Sequence, residues 1–182
     1  MKVLAVVQAR SNSTRFPNKV LKKLGKKTII QVLLERLSNS QLIDKIVVAT
    51  TKSKNDNILV SHLKNLKKNI FRGSENDVLD RFYKTAKIYK PKHILRITAD
   101  CPFIDPNIVD KIISNHIKSN CEITSNTNVL TFPDGLDSEI FTFQSLKKAW
   151  LKSKNIYDRE HVTPYIKKNN KVNSFKDNKN FS

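Results

Sequence analysis

Five consecutive apolar residues, Val3, Leu4, Ala5, Val6 and Val7, open the chain after Met1 and Lys2. A short unbroken run bounded by polar residues suits a strand buried on both faces, as in a parallel sheet. Over residues 29–37 apolar positions fall at 29, 30, 33, 34 and 37, the spacing of one helix face. Residues 44–50 read as a second buried strand. Residues 53–67 read as a helix with Ile58, Leu59, His62, Leu63 and Leu66 inward, His62 as a packing or boundary residue. A short strand follows at 69–71. The next helix carries Val78, Leu79, Phe82, Tyr83, Ala86 and Tyr89 on one face and stops before Pro91. Residues 93–100 form another strand. Asp105 can then cap a helix whose first residue is Pro106, with Ile108, Val109, Ile112, Ile113 and Ile117 inward. Residues 122–126 and the end of 132–141 are weaker strands. Residues 144–152 are helical, with Trp150 partly packed, and 158–166 begin a further helix. From Lys167 the chain is rich in Asn and Lys and is expected to fray. One domain over 1–168 and a polar tail over 169–182 follow from this pattern.

Strands alternating with helices imply βαβ units and a mainly parallel sheet, a Rossmann-like α/β fold of three α/β/α layers. It is not a dinucleotide fold, because no G-x-G-x-x-G follows the first strand; the glycines are Gly25, Gly73 and Gly135. No apolar run approaches the ~20 residues of a membrane span. The opening run is too short for a signal peptide and lacks a small-residue cleavage site, so a cytoplasmic address is expected. Cys101 and Cys121 match no metal spacing and read as reduced, buried thiols.

The formal net charge of +18 changes the picture most. Such a charge can neutralise nucleic-acid phosphates. It also describes a lysine-rich solvated surface. The lysines are dispersed, and no basic stripe is interleaved with aromatics. No specific nucleic acid and no membrane are therefore expected as partners.

The chemistry concentrates in loops that follow the buried strands. After Val7 comes Gln8-Ala9-Arg10, then Ser11 to Thr14, with Arg10, Arg15 and Lys19 around the hydroxyls. Backbone N–H groups, hydroxyls and cations at a strand's carboxyl end can wrap an anion. The same pattern fits a solvated basic loop. Ser74 and Asp77 have S-x-x-D spacing, close to a capping box. Asp100 falls at the end of the 93–100 strand, where open α/β sheets put their ligands. A carboxylate there suits Mg²⁺, which prefers one or two carboxylates plus phosphate oxygens. A turn-initiating Asp before Pro102 is the alternative. Asp134, Asp137 and Glu139 form an acidic cluster, the last two on one face of a regular strand.

Five segments share a resemblance. Gln8-Ala9-Arg10, Ser13-Thr14-Arg15, Pro17 and Lys19-Val20-Leu21 resemble the nucleotide-binding loop of sugar nucleotidyltransferases. The similarity is to the cytidylyltransferase family of spore coat polysaccharide biosynthesis protein F and CMP-KDO synthetase relatives. The stretch from Phe71 to Arg81 resembles the segment that lies close to the base. Asp100-Cys101-Pro102 resembles the family's metal-binding aspartate motif. Pro133-Asp134-Gly135-Leu136-Asp137 with Glu139 resembles a signature on the acceptor-sugar side. Asp158-Arg159-Glu160-His161 with Pro164-Tyr165 matches a further family segment of unassigned role, and His161 reads as structural. The resemblance covers residues 2–168.

It implies a nucleotidyltransferase that moves CMP from CTP to a sugar acid and releases pyrophosphate, in surface polysaccharide biosynthesis. Ala9, Arg10, Ser13, Arg15, Lys19, Ser74 and Asp77 would bind the nucleotide, with Arg10 and Lys19 catalytic. Asp134, Asp137 and Glu139 would bind the acceptor, Asp100 would hold Mg²⁺, and a homodimer is possible. Two departures stand out. Asn12 occupies a position usually Gly, which Asn's tolerance of a left-handed backbone accommodates. Relatives also carry a Val-Asp-x-x-Glu-Asp-like motif near their C-terminus that supplies a second metal ligand. This sequence ends at Ser182 without it, so slow or absent turnover is expected, with Asp137 or Glu139 as substitutes. The rival readings are a truncated nucleotide-binding relative without turnover, a basic nucleic-acid-associated protein, and a nucleotide-sugar glycosyltransferase. The last would need a D-x-D-like site, which Asp100-Cys101-Pro102 is not.

Overall fold

The computed structural model describes residues 1–12 and 16–177. In chain order the elements are β1 (Val3–Gln8), the hairpin β2 (Lys23–Leu24) and β3 (Lys27–Thr28), α1 (Ile29–Leu37), β4 (Lys45–Thr51), α2 (Asn57–Asn65) and β5 (Asn69–Gly73). There follow α3 (Val78–Tyr89), β6 (His93–Thr98), α4 (Pro106–Ser119), β7 (Ile123–Ser125), β8 (Glu139–Thr142), α5 (Phe143–Lys152), α6 (Ile156–His161), α7 (Pro164–Asn169) and β9 (Val172–Ser174). Gly25 turns the β2–β3 hairpin at φ 65°, a left-handed backbone that a side chain would strain.

The layers follow from alternation within β1. Val3, Ala5 and Val7 face one side of the sheet and Leu4 and Val6 the other, and all five are fully buried. The first side is covered by Ile30, Leu33, Leu34 and Leu37 of α1, Leu59 and Leu63 of α2, and Val109, Ile112 and Ile113 of α4. The second is covered by Val78, Leu79, Phe82 and Ala86 of α3, Leu146 and Ala149 of α5, and Ile166 of α7. Each of the larger of these side chains contributes ~1.5–3 kcal/mol on burial. Helix starts are set by side-chain caps: Thr28 for α1, Asp77 for α3, Asp105 for α4 and Thr142 for α5. Each cap is worth ~1 kcal/mol. Asp105 and Pro106 behave as the sequence predicts.

The main sheet has seven strands in the order β5-β4-β1-β6-β8-β7-β9, and a mainly parallel α/β/α fold results. Strands β5, β4, β1 and β6 run parallel, while β8 is antiparallel to both β6 and β7. From β1 the chain steps outward to β4 and β5. Helix α3 then carries it back across the sheet to β6, on the other side of β1. The carboxyl ends of β1 and β6 are thus the topological switch point, where an α/β sheet opens a crevice for ligands.

Four local expectations change. Helix α2 starts at Asn57, because residues 54–56 form a tight 3-10 turn that sends Asp56 inward. Ile58 is 60% exposed, on the solvent face of the shifted helix. The helix expected over 158–166 is two short helices that break at Val162. The stretch expected to fray supplies β9, parallel to β7. Its residues have partners that sequence does not show: Asn173 donates to Thr124 Oγ1 at 3.1 Å, and Phe175 stacks on Phe132 at 5.8 Å. Among the described residues no helix is long and apolar enough to cross a membrane.

Candidate active site

The loop after β1 is held at both ends. Ala9 is buried and its N–H continues the pairing to Ala49 at 3.2 Å, while Arg10 is exposed. Ser11 N–H donates to Asp56 Oδ1 at 2.6 Å, and Asn18 N–H closes the loop on the Ser11 carbonyl at 2.8 Å. Ser13 and Arg15, which the resemblance assigns to the nucleotide, lie outside the described residues. Lys19 starts a 3-10 turn and extends Nζ to Asp100 Oδ2 at 3.2 Å. The pair spans the switch point, with side chains 41% and 49% exposed. Burial alone would raise the Asp100 carboxyl; the hydrogen bond and charge of Lys19 reverse that and hold it below the usual range.

Asp56 is a residue that sequence reasoning passed over. It is 1% exposed and accepts Ser11 N–H, Thr51 N–H and the Thr51 hydroxyl. Burial opposes its charge, but these bonds keep the carboxyl below its ordinary value. It fixes the start of the loop after β1 to the end of β4. Arg81 was missed too. It is buried under the β5–α3 turn, donates to the Ser74 carbonyl at 2.5 Å, and its stem packs where a Gly73 side chain would stand. Burial, with the charge of Arg10 and against that of Asp56, lowers it to about 10. Among the described residues its Nε has no hydrogen-bond partner.

Ser74 and Asp77 form that turn, in reversed capping roles. The helix cap is Asp77, whose Oδ1 accepts Asp80 N–H at 2.8 Å, while Ser74 Oγ accepts Asp77 N–H at 3.1 Å. Asp77 Oδ2 accepts Arg159 Nε at 2.7 Å, so both oxygens of this carboxylate have protein partners.

The acidic cluster divides. Asp134 is exposed and Asp137 is half-buried. Burial, then the charges of Asp134, Glu139 and Asp100, push the Asp137 carboxyl above its ordinary value. Glu139 turns inward, 4% exposed, and accepts Arg96 Nη1 at 2.7 Å, Lys167 Nζ at 2.6 Å and the Thr163 hydroxyl at 3.0 Å. Burial would neutralise it; Arg96 and Lys167 keep it ionised. Arg96 and Glu139 are direct neighbours in the β6–β8 register. A charge inside each of two apolar strands was the sequence signal for this pair.

Beside Asp137 opens a cavity of about 350 Å³. Arg96, Thr98, Asp137 and Glu139 line its sheet side, and Tyr157, His161, Thr163 and Lys167 its α6–α7 side. His161 is an exposed wall residue, with its ring 4.5 Å from that of Tyr157. The wall turns at Val162, whose φ of 70° costs a valine ~1–3 kcal/mol. Full burial of the side chain is of a size to offset this. The arrangement is a cationic loop, a strand-end carboxylate and a polar pocket around one switch point. It can hold an oligophosphate beside a hydroxylated partner.

A cytidylyltransferase family profile matches residues 4–179. The spore coat polysaccharide biosynthesis protein SpsF of Bacillus subtilis is 35% identical over 170 residues, 91% of this chain and 70% of that one. The 3-deoxy-manno-octulosonate cytidylyltransferase of Chlamydia pneumoniae is 30% identical over 170 residues, 91% of this chain and 64% of the relative. A solved cytidylyltransferase from Leptospira borgpetersenii superposes with a TM-score of 0.94 at 35% identity, covering 100% of this chain and 79% of that one. The chain belongs to the cytidylyltransferase family.

Proposed function

We propose that this chain transfers CMP from CTP to a hydroxyl of a sugar acid and releases pyrophosphate, in the making of a surface polysaccharide. The observation that carries the reading is the Lys19–Asp100 contact of 3.2 Å at the switch point, flanked by the polar cavity. Lys19 and Arg10 bind the triphosphate, with Ser13 and Arg15 of the same loop. The base lies over the Ser74–Asp77 turn. The acceptor occupies the cavity of Arg96, Asp137 and His161. Its hydroxyl oxygen forms a bond to the α-phosphorus. The bond from that phosphorus to the bridging oxygen breaks, and pyrophosphate leaves with the electron pair. The hydroxyl proton passes to Asp137, whose raised carboxyl makes it the better base of the cluster. The chain's work is positioning and charge neutralisation.

Asp100 fits Mg²⁺ by its donor chemistry: a partly exposed carboxylate beside a loop built for phosphate. Among the described residues no three His, Cys, Asp or Glu side chains converge. Phosphate oxygens and water would therefore supply most of the coordination. The ion, when bound, neutralises charge on the phosphates.

A thermal-shift panel tests the nucleotide. CTP should raise Tm more than ATP, GTP or UTP, by the equivalent of ~2.7 kcal/mol at a hundred times its Kd. Pyrophosphate release with CTP and sugar acids tests the transfer. Equal shifts with all four nucleotides would remove the cytidine assignment, and no shift with any would remove nucleotide binding.

A further inference from the structure

Val162 joins α6 to α7 with φ 70° and ψ −55°. Thr163 N–H donates to the His161 carbonyl at 2.8 Å, closing the turn over this single residue. Backbone of this shape is the rare, strained form of γ-turn. A β-branched residue is among those least at ease at positive φ. The strain is held from both sides. Val162 is 0% exposed among Phe82, Leu146 and Ile166, and Pro164 begins α7 with its own φ fixed.

The turn has a consequence for the cavity. Residues two apart on a continuous helix point ~200° from one another and do not share a face. His161 and Thr163 nevertheless line the same cavity. Thr163 makes no side-chain cap bond for α7 and spends its hydroxyl on Glu139 at 3.0 Å. Lys167, one turn further, reaches the other oxygen of Glu139. The reversal at Val162 thus sets the angle at which this wall meets Arg96 on the sheet.

We infer that Val162 is a positioning residue for the acceptor: its strained turn aims His161 and Thr163 at one polyhydroxylated acid. The inference rests on the proposed reaction for the identity of that ligand. Val162 itself touches nothing in the cavity.

The test compares Val162→Gly with Val162→Ala in the full chain. Glycine accepts the turn without strain, whereas alanine keeps most of the strain, so the usual order of the two reverses. Val162→Gly should melt roughly 2–4 °C above Val162→Ala. Calorimetry with CTP should give a Kd within about twofold of wild type in both, since the phosphate loop is elsewhere. Titration with 3-deoxy-manno-octulosonate or N-acetylneuraminate, in the presence of CTP, should be weaker by about tenfold in Val162→Gly than in Val162→Ala, because the freed turn no longer holds the wall. Stability and acid affinity would then move in opposite directions, which a purely structural role cannot produce. His161→Ala, an exposed change, should lose acid affinity with Tm unmoved. An alanine variant as stable as the glycine variant overturns the inference. Equal acid affinity in the two overturns it as well, and so does wild-type protein that binds CTP but neither acid. Wild-type protein that binds no nucleotide removes the proposed reaction and this inference with it.

Discussion

Lys19 and Asp100 meet 3.2 Å apart, from the loops that follow β1 and β6. They are 81 residues apart in sequence and adjacent because α3 returns the chain across the sheet. An ion pair this exposed adds only ~0–1 kcal/mol to stability. Its place at the switch point therefore says more about ligand than about folding.

Lys19→Ala should accordingly leave Tm within a degree or so of wild type while weakening triphosphate binding by about tenfold or more. Calorimetry with CTP and a melting curve on the same sample separate the two effects. Unchanged affinity would return the loop to a solvated basic segment.

Glu139 should behave in the opposite way. Glu139→Gln removes the buried negative charge that pairs with both Arg96 and Lys167. Breaking a buried pair from one side costs about 3 kcal/mol. Urea unfolding should show that loss before any ligand is added. A variant as stable as wild type would mean that Arg96 and Lys167 find other partners when released.

His116 gives the fold a pH dependence. Its Nε2 lies 3.1 Å from His93 Nδ1 and its Nδ1 lies 2.9 Å from Thr124 Oγ1. One proton fits between the two rings, so the two cannot both be charged. Burial, then the charge of His93, and against them Glu122, lower His116 to about 4. Burial, Lys2 and Lys92 lower His93 as well. The unfolded chain binds a proton at His116 near pH 6.5, the folded chain only near 4. Stability is therefore full above 6.5 and is lost as pH falls toward 4, by on the order of 2–3 kcal/mol. Urea midpoints from pH 7.5 to 4.5 should fall in wild type and fall less in His116→Gln. Parallel curves would show that carboxylates elsewhere set the slope.

The layers were legible because buried strands and one-sided helices leave simple periods. Val3 to Val7 reads as two faces of one sheet, and Asp105-Pro106 reads as a helix start, without any long-range knowledge. The positions of the first loop and of Asp100 at strand ends were legible because each follows an apolar run that reads as a strand. Asp56 was not, since its role depends on Ser11, 45 residues earlier, and its polar neighbours give no period. Arg96 and Glu139 each look like a fault in an apolar strand until the register pairs them. Val162 hides best. Nothing in Glu160-His161-Val162-Thr163 signals a positive φ, and it takes burial in a core shared by α3, α5 and α7, with Pro164 after it, to over-determine it.

Metal and turnover form the last prediction. Asp137 lines the cavity, and burial, then the charges of Asp134, Glu139 and Asp100, raise its cost of ionisation. Glu139 is already satisfied by Arg96, Lys167 and Thr163, so it has no oxygen to spare for an ion. Among the described residues Asp137 has no such partners, which makes it the remaining candidate to help Asp100 hold Mg²⁺ against substrate phosphates. Asp100→Asn should weaken Mn²⁺ binding in the presence of CTP, read by electron paramagnetic resonance, by about tenfold or more. Asp137→Asn should weaken it less if Asp137 mainly takes the hydroxyl proton, but should depress pyrophosphate release by ~10²–10⁴-fold. The two variants thus separate holding the ion from accepting the proton. Equal loss of Mn²⁺ in both would make Asp137 a second ligand. Undiminished Mn²⁺ binding in Asp100→Asn would place the ion on the nucleotide alone, and Asp100 would then serve only to orient Lys19.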